Sequence, residues 1–326
     1  MIHDLKRIVF FGTPQFAVII LQKLIDTHIP PVAVVTAPDK PAGRGHRLTS
    51  PPVKILADTY RISVVQPEKL DTGFIFQISG FKPDVFIIAA YGKIIPKSML
   101  DIPPKGTINV HPSLLPRHRG PAPIQGAILG GDESTGVTLM LTDEKMDHGP
   151  IIKSAIYNMQ NAKILYTELH DILARMGGDL LVETLPLWIA GKITPKEQEH
   201  EKATYTKLLK KEDGHIDWSK SAIEIDRMVR ALNPWPGTWN YITFGDPISD
   251  SEIGSPKVSI RVKILSGHPT NKLSPSKPGT LIKQKNGELA VCTEDYLYVV
   301  ENLQPEGKKE VSGQIFVNSV PDALYF

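Results

Sequence analysis

The chain predicts an α/β fold, a mostly parallel sheet with helices on both faces, followed by a smaller β-rich domain. Three observations carry this. Short unbroken apolar runs, such as Arg7-Ile8-Val9-Phe10-Phe11 and the one within Asp84 to Gly92, read as strands buried on both faces. Segments with apolar residues at helical spacing lie between those runs, as crossovers between parallel strands require. Beyond Gly191 the pattern changes to short alternating runs punctuated by Gly and Pro.

The first strand ends at Gly12-Thr13-Pro14, after which Phe16, Ile19, Ile20, Leu24 and Ile25 recur on one helical face. Thr13 is placed to cap that helix, with Pro14 at its first position. The opening is Rossmann-like. However, Gly12-Thr13-Pro14-Gln15-Phe16-Ala17 lacks the second and third glycines of a dinucleotide fingerprint, so no nicotinamide or flavin site is expected. Val32 to Val35 makes the second strand. The loop that follows, Thr36 to Ser50, is long for an α/β unit. It carries Lys40, Arg44 and Arg47 with only Asp39 opposing them, and long loops at strand C-termini are where function concentrates. Ser50 and Pro51 open another helix, Val64-Val65 is a short strand, and Phe74 to Ile78 a helix. Asp84 to Gly92 and Thr107 to Val110 are the next strands, with Pro121 to Leu129 a helix after them. Val137 to Leu141 and Ile151 to Ile156 run out and back around the polar turn Thr142 to Pro150. Leu165 to Ile189, apolar along one face, closes a first domain of residues 1–191.

Residues 192–211 are polar and charged, as expected of a linker, and 212–326 form the second domain. Ser219 to Leu232 is an amphipathic helix with Ser219 as its expected cap, followed by the rigid turn Asn233-Pro234-Trp235-Pro236-Gly237. Trp239 to Phe244, Val258 to Leu265, Thr280 to Lys283, Leu289 to Cys292 and Tyr296 to Val300 are short strands. Asn286-Gly287 marks a hairpin. Together they predict a small OB-like β-barrel.

Composition narrows the function. The 326 residues are 41% hydrophobic and 22% charged, ordinary for a globular protein with two cores. Cys292 is the only cysteine, which rules out a disulfide within the chain and a Cys-rich metal site. No apolar run approaches the roughly 18 residues that span a bilayer, and Met1 to Phe11 lacks the features of a signal peptide. A cytoplasmic protein without membrane contact is expected. The net charge of +2 leaves nucleic-acid contact to local patches.

Candidate chemistry centres on Ile108-Asn109-Val110-His111, where a strand breaks into a Pro-rich basic loop. Residues i and i+2 of a strand share a face, so Asn109 and His111 point together and Val110 points away. Asparagine is poorly suited to a strand, a cost tolerated where an amide donor and an imidazole are wanted side by side. Asp147 lies in the later polar turn, where an aspartate ordinarily bonds its own backbone.

The combination is similar to a known family. Phe11-Gly12-Thr13-Pro14-x-Phe16-Ala17, Pro38-Asp39-Lys40-Pro41-Ala42-Gly43-Arg44-Gly45 and Ala90-Tyr91-Gly92 resemble the methionyl-tRNA formyltransferases in order and spacing. So do Ile108-Asn109-Val110-His111-x-Ser113-Leu114-Leu115-Pro116-x-x-Arg119-Gly120, Met146-Asp147-x-Gly149 and Asn233-Pro234-Trp235-Pro236. The resemblance spans both domains and implies formyl transfer from 10-formyltetrahydrofolate to initiator methionyl-tRNA. It implies Asn109, His111 and Asp147 as the catalytic set. Folate is expected along Ser113, Leu114, Leu115 and Pro116, with Ala90, Tyr91 and Gly92 at the same sheet edge. Lys40, Arg44 and Arg47 are expected to hold tRNA, together with the second domain. Neither a metal nor a second subunit is expected.

Overall fold

In the computed structural model, which describes residues 7–42, 47–160, 163–244, 258–319 and 324–325, β1 (Ile8–Gly12) is buried at every position. Helix α1 (Gln15–Asp26) follows after only two residues. A Cβ on Gly12 would lie 2.6 Å from that of Ala17, so the glycine is what lets the helix start against the strand end. Thr13 does not cap α1 as expected; Pro14 holds the cap position without a side-chain bond. The Thr13 hydroxyl instead donates to Tyr91 O at 3.5 Å and accepts from Ala37 N at 3.4 Å, tying together three loops at one sheet edge.

The next elements are β2 (Ala33–Val35), the hairpin β3 (Lys40–Ala42) and β4 (Arg47–Thr49), α2 (Pro52–Thr59), β5 (Ser63–Val65) and α3 (Thr72–Ser79). Then come β6 (Val85–Ala89), α4 (Lys97–Leu100), β7 (Thr107–His111), α5 (Pro123–Gly130), β8 (Ser134–Leu141), β9 (Ile151–Asn158) and α6 (Tyr166–Ile189). The sheet order is β5-β2-β1-β6-β7-β8-β9, parallel from β5 to β7 and antiparallel from β7 to β9. The chain steps outward from β1 to β5 and then returns to β6 on the other side of β1. The C-terminal ends of β1 and β6 therefore frame a crevice at a topological switch point, where open α/β sheets bind ligands. Register keeps these ends level: Gly12 pairs with Ala89, and Ile88 with Asn109.

The second unit comprises Leu208–Phe326 with two short stretches, Ile128–Asp132 and Ala162–Thr167. Helix α7 (Ala222–Leu232) is capped by Ser221, not by the expected Ser219. Ser221 and Glu224 exchange bonds in a capping box, while Ser219 donates to Asp217 at 2.6 Å. Strands β10 (Thr238–Phe244), β11 (Val258–Leu273), β12 (Leu281–Lys283), β13 (Leu289–Cys292), β14 (Tyr296–Pro305) and β15 (Val311–Ser312) follow, then α8 (Gly313–Asn318) and β16 (Leu324–Tyr325). They pair antiparallel in the order β12-β13-β14-β11-β10-β16, with β15 on β14. Strand β11 runs beyond its expected end because its register against β14 shifts at Ser266 and again after Pro269; such bulges bend a long strand around a small core. That core holds Trp218, Ile225, Val229, Ile242, Val262 and Tyr298.

The stretch 192–211, expected as a linker, is bonded to the first unit along much of its length, and that unit extends to Lys207. Lys196 exchanges backbone bonds with Ile151 at 2.7 and 2.8 Å, and Arg119 bonds Thr204 O at 2.9 Å and accepts from Thr206 N at 2.7 Å. These ties are made by the main chain, which composition does not report. Among the described residues no helix is long and apolar enough to cross a membrane.

Strand-like protection is expected at the Lys196 and Thr206 amides. Hydrogen exchange should be slowed there to a degree comparable with the β8–β9 pair, and unstructured-chain rates would show that 192–207 is a linker after all.

Candidate active site

Strand β7 delivers Asn109 and His111 to one face, with Val110 on the other, fully packed. The chain then turns sharply, because Ser113 N returns to His111 O at 2.9 Å. His111 is 4% exposed, and its Nε2 lies 3.1 Å from His118 O. A carbonyl only accepts, so this contact fixes the ring hydrogen on Nε2. The lone pair of the neutral ring is thus on Nδ1, and Nδ1 faces Asp147 Oδ1 at 3.6 Å. A proton taken up by this imidazole arrives beside the carboxylate.

Asp147 stands in the turn between β8 and β9, which folds back over the face of β7 that bears Asn109 and His111. Its two oxygens both accept: Oδ1 from Asn109 Nδ2 at 3.3 Å, Oδ2 from Gly120 N at 2.7 Å. Its φ of +48° is left-handed, a conformation that side-chain-bearing residues seldom adopt. Two residues on, a Cβ on Gly149 would overlap the Leu141 carbonyl, so only glycine lets the turn close this tightly. The three residues expected as catalytic therefore meet within hydrogen-bonding or near hydrogen-bonding distance.

The Ser113-Leu114-Leu115-Pro116 loop is braced from beneath by Thr138, the residue paired with His111 across β7 and β8. Thr138 Oγ1 donates to Ser113 O at 2.7 Å and accepts from Leu115 N at 3.2 Å. The Ser113 hydroxyl, wholly buried, donates to Arg117 O at 2.7 Å. Arg117 N bonds Leu114 O, and Thr204 N bonds Pro116 O. Leu115 is buried, whereas Leu114 and Pro116 are half-buried.

Ala90, Tyr91 and Gly92 form the turn after β6, with positive φ at Ala90 (47°) and Gly92 (78°). Ala90 and Gly92 are exposed. Tyr91 is not: its ring packs edge-on against Phe11 at 5.4 Å, and burial pushes its hydroxyl pKa up to about 12. Only the main chain of Tyr91 is available to a ligand in the crevice.

The long loop after β2 contains the β3–β4 hairpin, in which Lys40 pairs with Thr49 and Ala42 with Arg47. Lys40 is exposed, and Arg44 lies outside the described residues. Asp39, the acidic residue expected to oppose these cations, is engaged elsewhere. It accepts from Gln66 at 2.7 Å and from Lys54 at 2.8 Å, and these partners hold its carboxyl below the usual carboxylate range. Ser50 adds a third bond at 3.1 Å.

Sequence reasoning missed Thr138, Gln198 and the structural part played by Arg119. Thr138 sits among Val137 and Leu139 as one polar side of an alternating strand, yet it is fully buried, because β8 is covered on both faces. Gln198 falls within the stretch that reads as a linker, and its amide bridges Arg119 to the Asp147 turn. Among the described residues no group of three or more His, Cys, Asp or Glu side chains is arranged to hold a metal.

Comparison with known proteins extends these observations. Residues 6–185 match the family described as Formyl transferase, and residues 208–321 the one described as Formyl transferase, C-terminal domain. The chain is 44% identical to a methionyl-tRNA formyltransferase of Chloroflexus aurantiacus, covering 96% of this chain and 97% of that protein. It is 40% identical to one from Geotalea daltonii, over 95% and 94% respectively. Among solved structures, a Helicobacter canadensis N-formyltransferase in complex with folinic acid and dTDP-3-aminofucose shares the fold at a TM-score of 0.63 and 17% identity, over 90% of this chain and 98% of that one. HypX from Aquifex aeolicus in complex with tetrahydrofolic acid shares it at 0.62 and 16%, over 97% of this chain and 47% of that one. With Asn109, His111 and Asp147 clustered at the C-terminal end of β7, both family segments present in order and relatives 40 to 44% identical over nearly the whole chain, the chain belongs to the methionyl-tRNA formyltransferase family.

Proposed function

We propose that the protein transfers the formyl group of 10-formyltetrahydrofolate to the amino group of initiator methionyl-tRNA, giving N-formylmethionyl-tRNA for translation initiation in the cytoplasm. The observation that carries this reading is the convergence of Asn109, His111 and Asp147 on one face of β7. The folate co-substrate supplies an activated formyl carbon. Asn109 holds its amide toward the crevice, where it can leave its long 3.3 Å bond to Asp147 and donate to the formyl oxygen as charge develops there. His111 offers Nδ1 to the proton that moves as the amine adds, and its fixed Nε2–H···O bond keeps the ring from rotating. Asp147 stands where it stabilises a protonated Nδ1, so the proton that the amine loses, relayed through a water molecule to this pair, can pass to the folate nitrogen as its bond to the formyl carbon breaks.

The crevice suits a pterin. The half-buried Leu114 offers an apolar wall, and the turn after β6, exposed at Ala90 and Gly92, lies at the neighbouring strand end. Lys40 is exposed on the loop leaving β2, and with Asp39 committed to Gln66 and Lys54 its charge is open to phosphate; Arg44 and Arg47 follow it in sequence and supply two further cations. The catalytic domain is taken to run through residue 207, with the following domain sharing in tRNA binding and the protein acting as a monomer without membrane attachment.

The direct test supplies 10-formyltetrahydrofolate with charged initiator tRNA, glycinamide ribonucleotide or an amino sugar-nucleotide in separate reactions. Formylation of the tRNA alone is expected; transfer to either small amine instead would displace this reading.

Replacing Asn109, His111 or Asp147 by Ala is expected to lower turnover on the order of 100-fold or more, with thermal stability nearly unchanged. Combined replacements should cost less than the product of the single effects, because the three act as one unit. Near-normal turnover in a folded His111→Ala protein would remove the assignment.

Arg44→Ala and Lys40→Ala are expected to weaken tRNA binding and to make its salt dependence shallower by roughly one counterion per lost phosphate contact. Folate affinity should stay the same. Titrating charged tRNA at several salt concentrations decides it, and unchanged slopes would mark the loop as merely solvated.

A further inference from the structure

Gln198 is 5% exposed, and its amide is fully engaged. Nε2 donates to the carbonyls of Asp147 at 3.0 Å and Gly149 at 2.7 Å. Oε1 accepts from Arg119 Nε at 3.2 Å and Nη2 at 2.7 Å. This amide has one sensible orientation. Turned over, it would set its NH2 against a guanidinium and its oxygen against two carbonyls.

Arg119 is 1% exposed and also donates from Nη1 to Tyr205 Oη at 3.1 Å and from Nη2 to His200 Nδ1 at 2.8 Å. Among the described residues its side-chain partners are thus an amide, a phenol and an imidazole acceptor, and none is a carboxylate. For the guanidinium alone, Glu at position 198 would be the better partner, giving a bidentate ion pair. A carboxylate could not, however, donate to the two carbonyls of the Asp147 turn. The choice of an amide makes sense only if holding that turn is the requirement.

The turn needs such a hold. Asp147 occupies a left-handed backbone, and its carboxylate must reach both Asn109 and Gly120 N. Gly120 directly follows Arg119, whose own peptide is fixed between Thr204 and Thr206. The main chain of Asp147 is therefore gripped through Gln198 and its side chain through Gly120, and both grips trace to Arg119. Resting on the formyl-transfer reading above, we propose that Gln198 is a positioning residue for Asp147, with buried Arg119 as the anchor that aims it.

Two substitutions separate positioning from bulk stability. Gln198→Glu keeps a partner for Arg119 and removes both donors to the turn; Gln198→Met keeps the side-chain length and removes all four bonds. Each should lower kcat about 10- to 100-fold, as a misplacement on the order of 1 Å does, while KM for folate and for tRNA stays within about twofold. Exchange of the Gly120 amide should quicken in both, because the carboxylate that receives it is no longer held, while β7 amides stay protected. In an Asp147→Asn background, Gln198→Met should add little further loss.

If Gln198→Glu fails to fold, Gln198→Met carries the same measurements. A folded variant with unchanged kcat, beside a slow Asp147→Asn protein, overturns the positioning role and leaves the catalytic reading standing. Full additivity with Asp147→Asn also overturns it, by showing that the loss does not pass through Asp147. An Asp147→Asn protein with near-normal turnover brings down the catalytic reading and this role together.

Discussion

The placement of one carboxylate orders the polar part of this crevice. Asp147 accepts from Asn109 on one oxygen and from Gly120 on the other, so the turn that carries it is coupled to the end of β7 and to the loop beyond it. The backbone that makes this possible is unfavourable at the left-handed Asp147, and at Gly149 it passes where there is no room for a Cβ. Such conformations persist when the surroundings over-determine them. Here the surroundings are specific, because the His111 ring is locked by His118 O, and the Asp147 and Gly149 carbonyls are both taken by Gln198.

The sheet explains why these groups can meet. Parallel order from β5 to β7 brings five strand ends to one edge, and the hydroxyl of Thr13 stitches together the loops after β1, β2 and β6. Antiparallel pairing then changes the geometry beyond β7. With His111 opposite Thr138, the Thr138 hydroxyl lies beneath the loop that leaves the strand, and it sets the course of Ser113 to Leu115. Most of the main-chain polar groups of that loop are consumed internally. A ligand there meets a surface of fixed shape with few, well-defined points for hydrogen bonding, which favours a planar heterocycle over a flexible partner.

The sheet strands were legible because burial on both faces leaves unbroken apolar runs, as in Ile8 to Phe11 and Val85 to Ala89. Asn109 and His111 were legible because strand spacing of two puts them on one face. Other features failed for identifiable reasons. Thr13 has the right identity and position for a cap, yet tertiary partners in two other loops claimed its hydroxyl. Ser219 was the wrong serine, although Ser221-x-x-Glu224 spelled out a capping box two residues later. Thr138 and Gln198 were beyond reach, since their roles depend on residues tens of positions away and their local patterns are those of a surface strand and a linker. Asp39 opposed the basic loop only in sequence; in space its carboxylate pairs with Lys54, a partner that the loop's own composition does not reveal.

A polar segment with few apolar residues has two physical fates. It can remain solvated, or it can be held by hydrogen bonds whose partners lie elsewhere in the chain. Residues 196–206 take the second course: Lys196 joins Ile151, Thr204 and Thr206 bracket Arg119, and Gln198 reaches the catalytic turn. Buried hydrogen bonds of this kind add modestly to stability when made and cost far more when left unpaired, so they act as constraints on geometry more than as sources of affinity between elements. That is the property a reaction needs when a carboxylate, an imidazole and an amide must be presented together. The main stretch of the second unit begins at Leu208, directly after this strap, so the segment that reads as a spacer between domains doubles as part of the framework of the site.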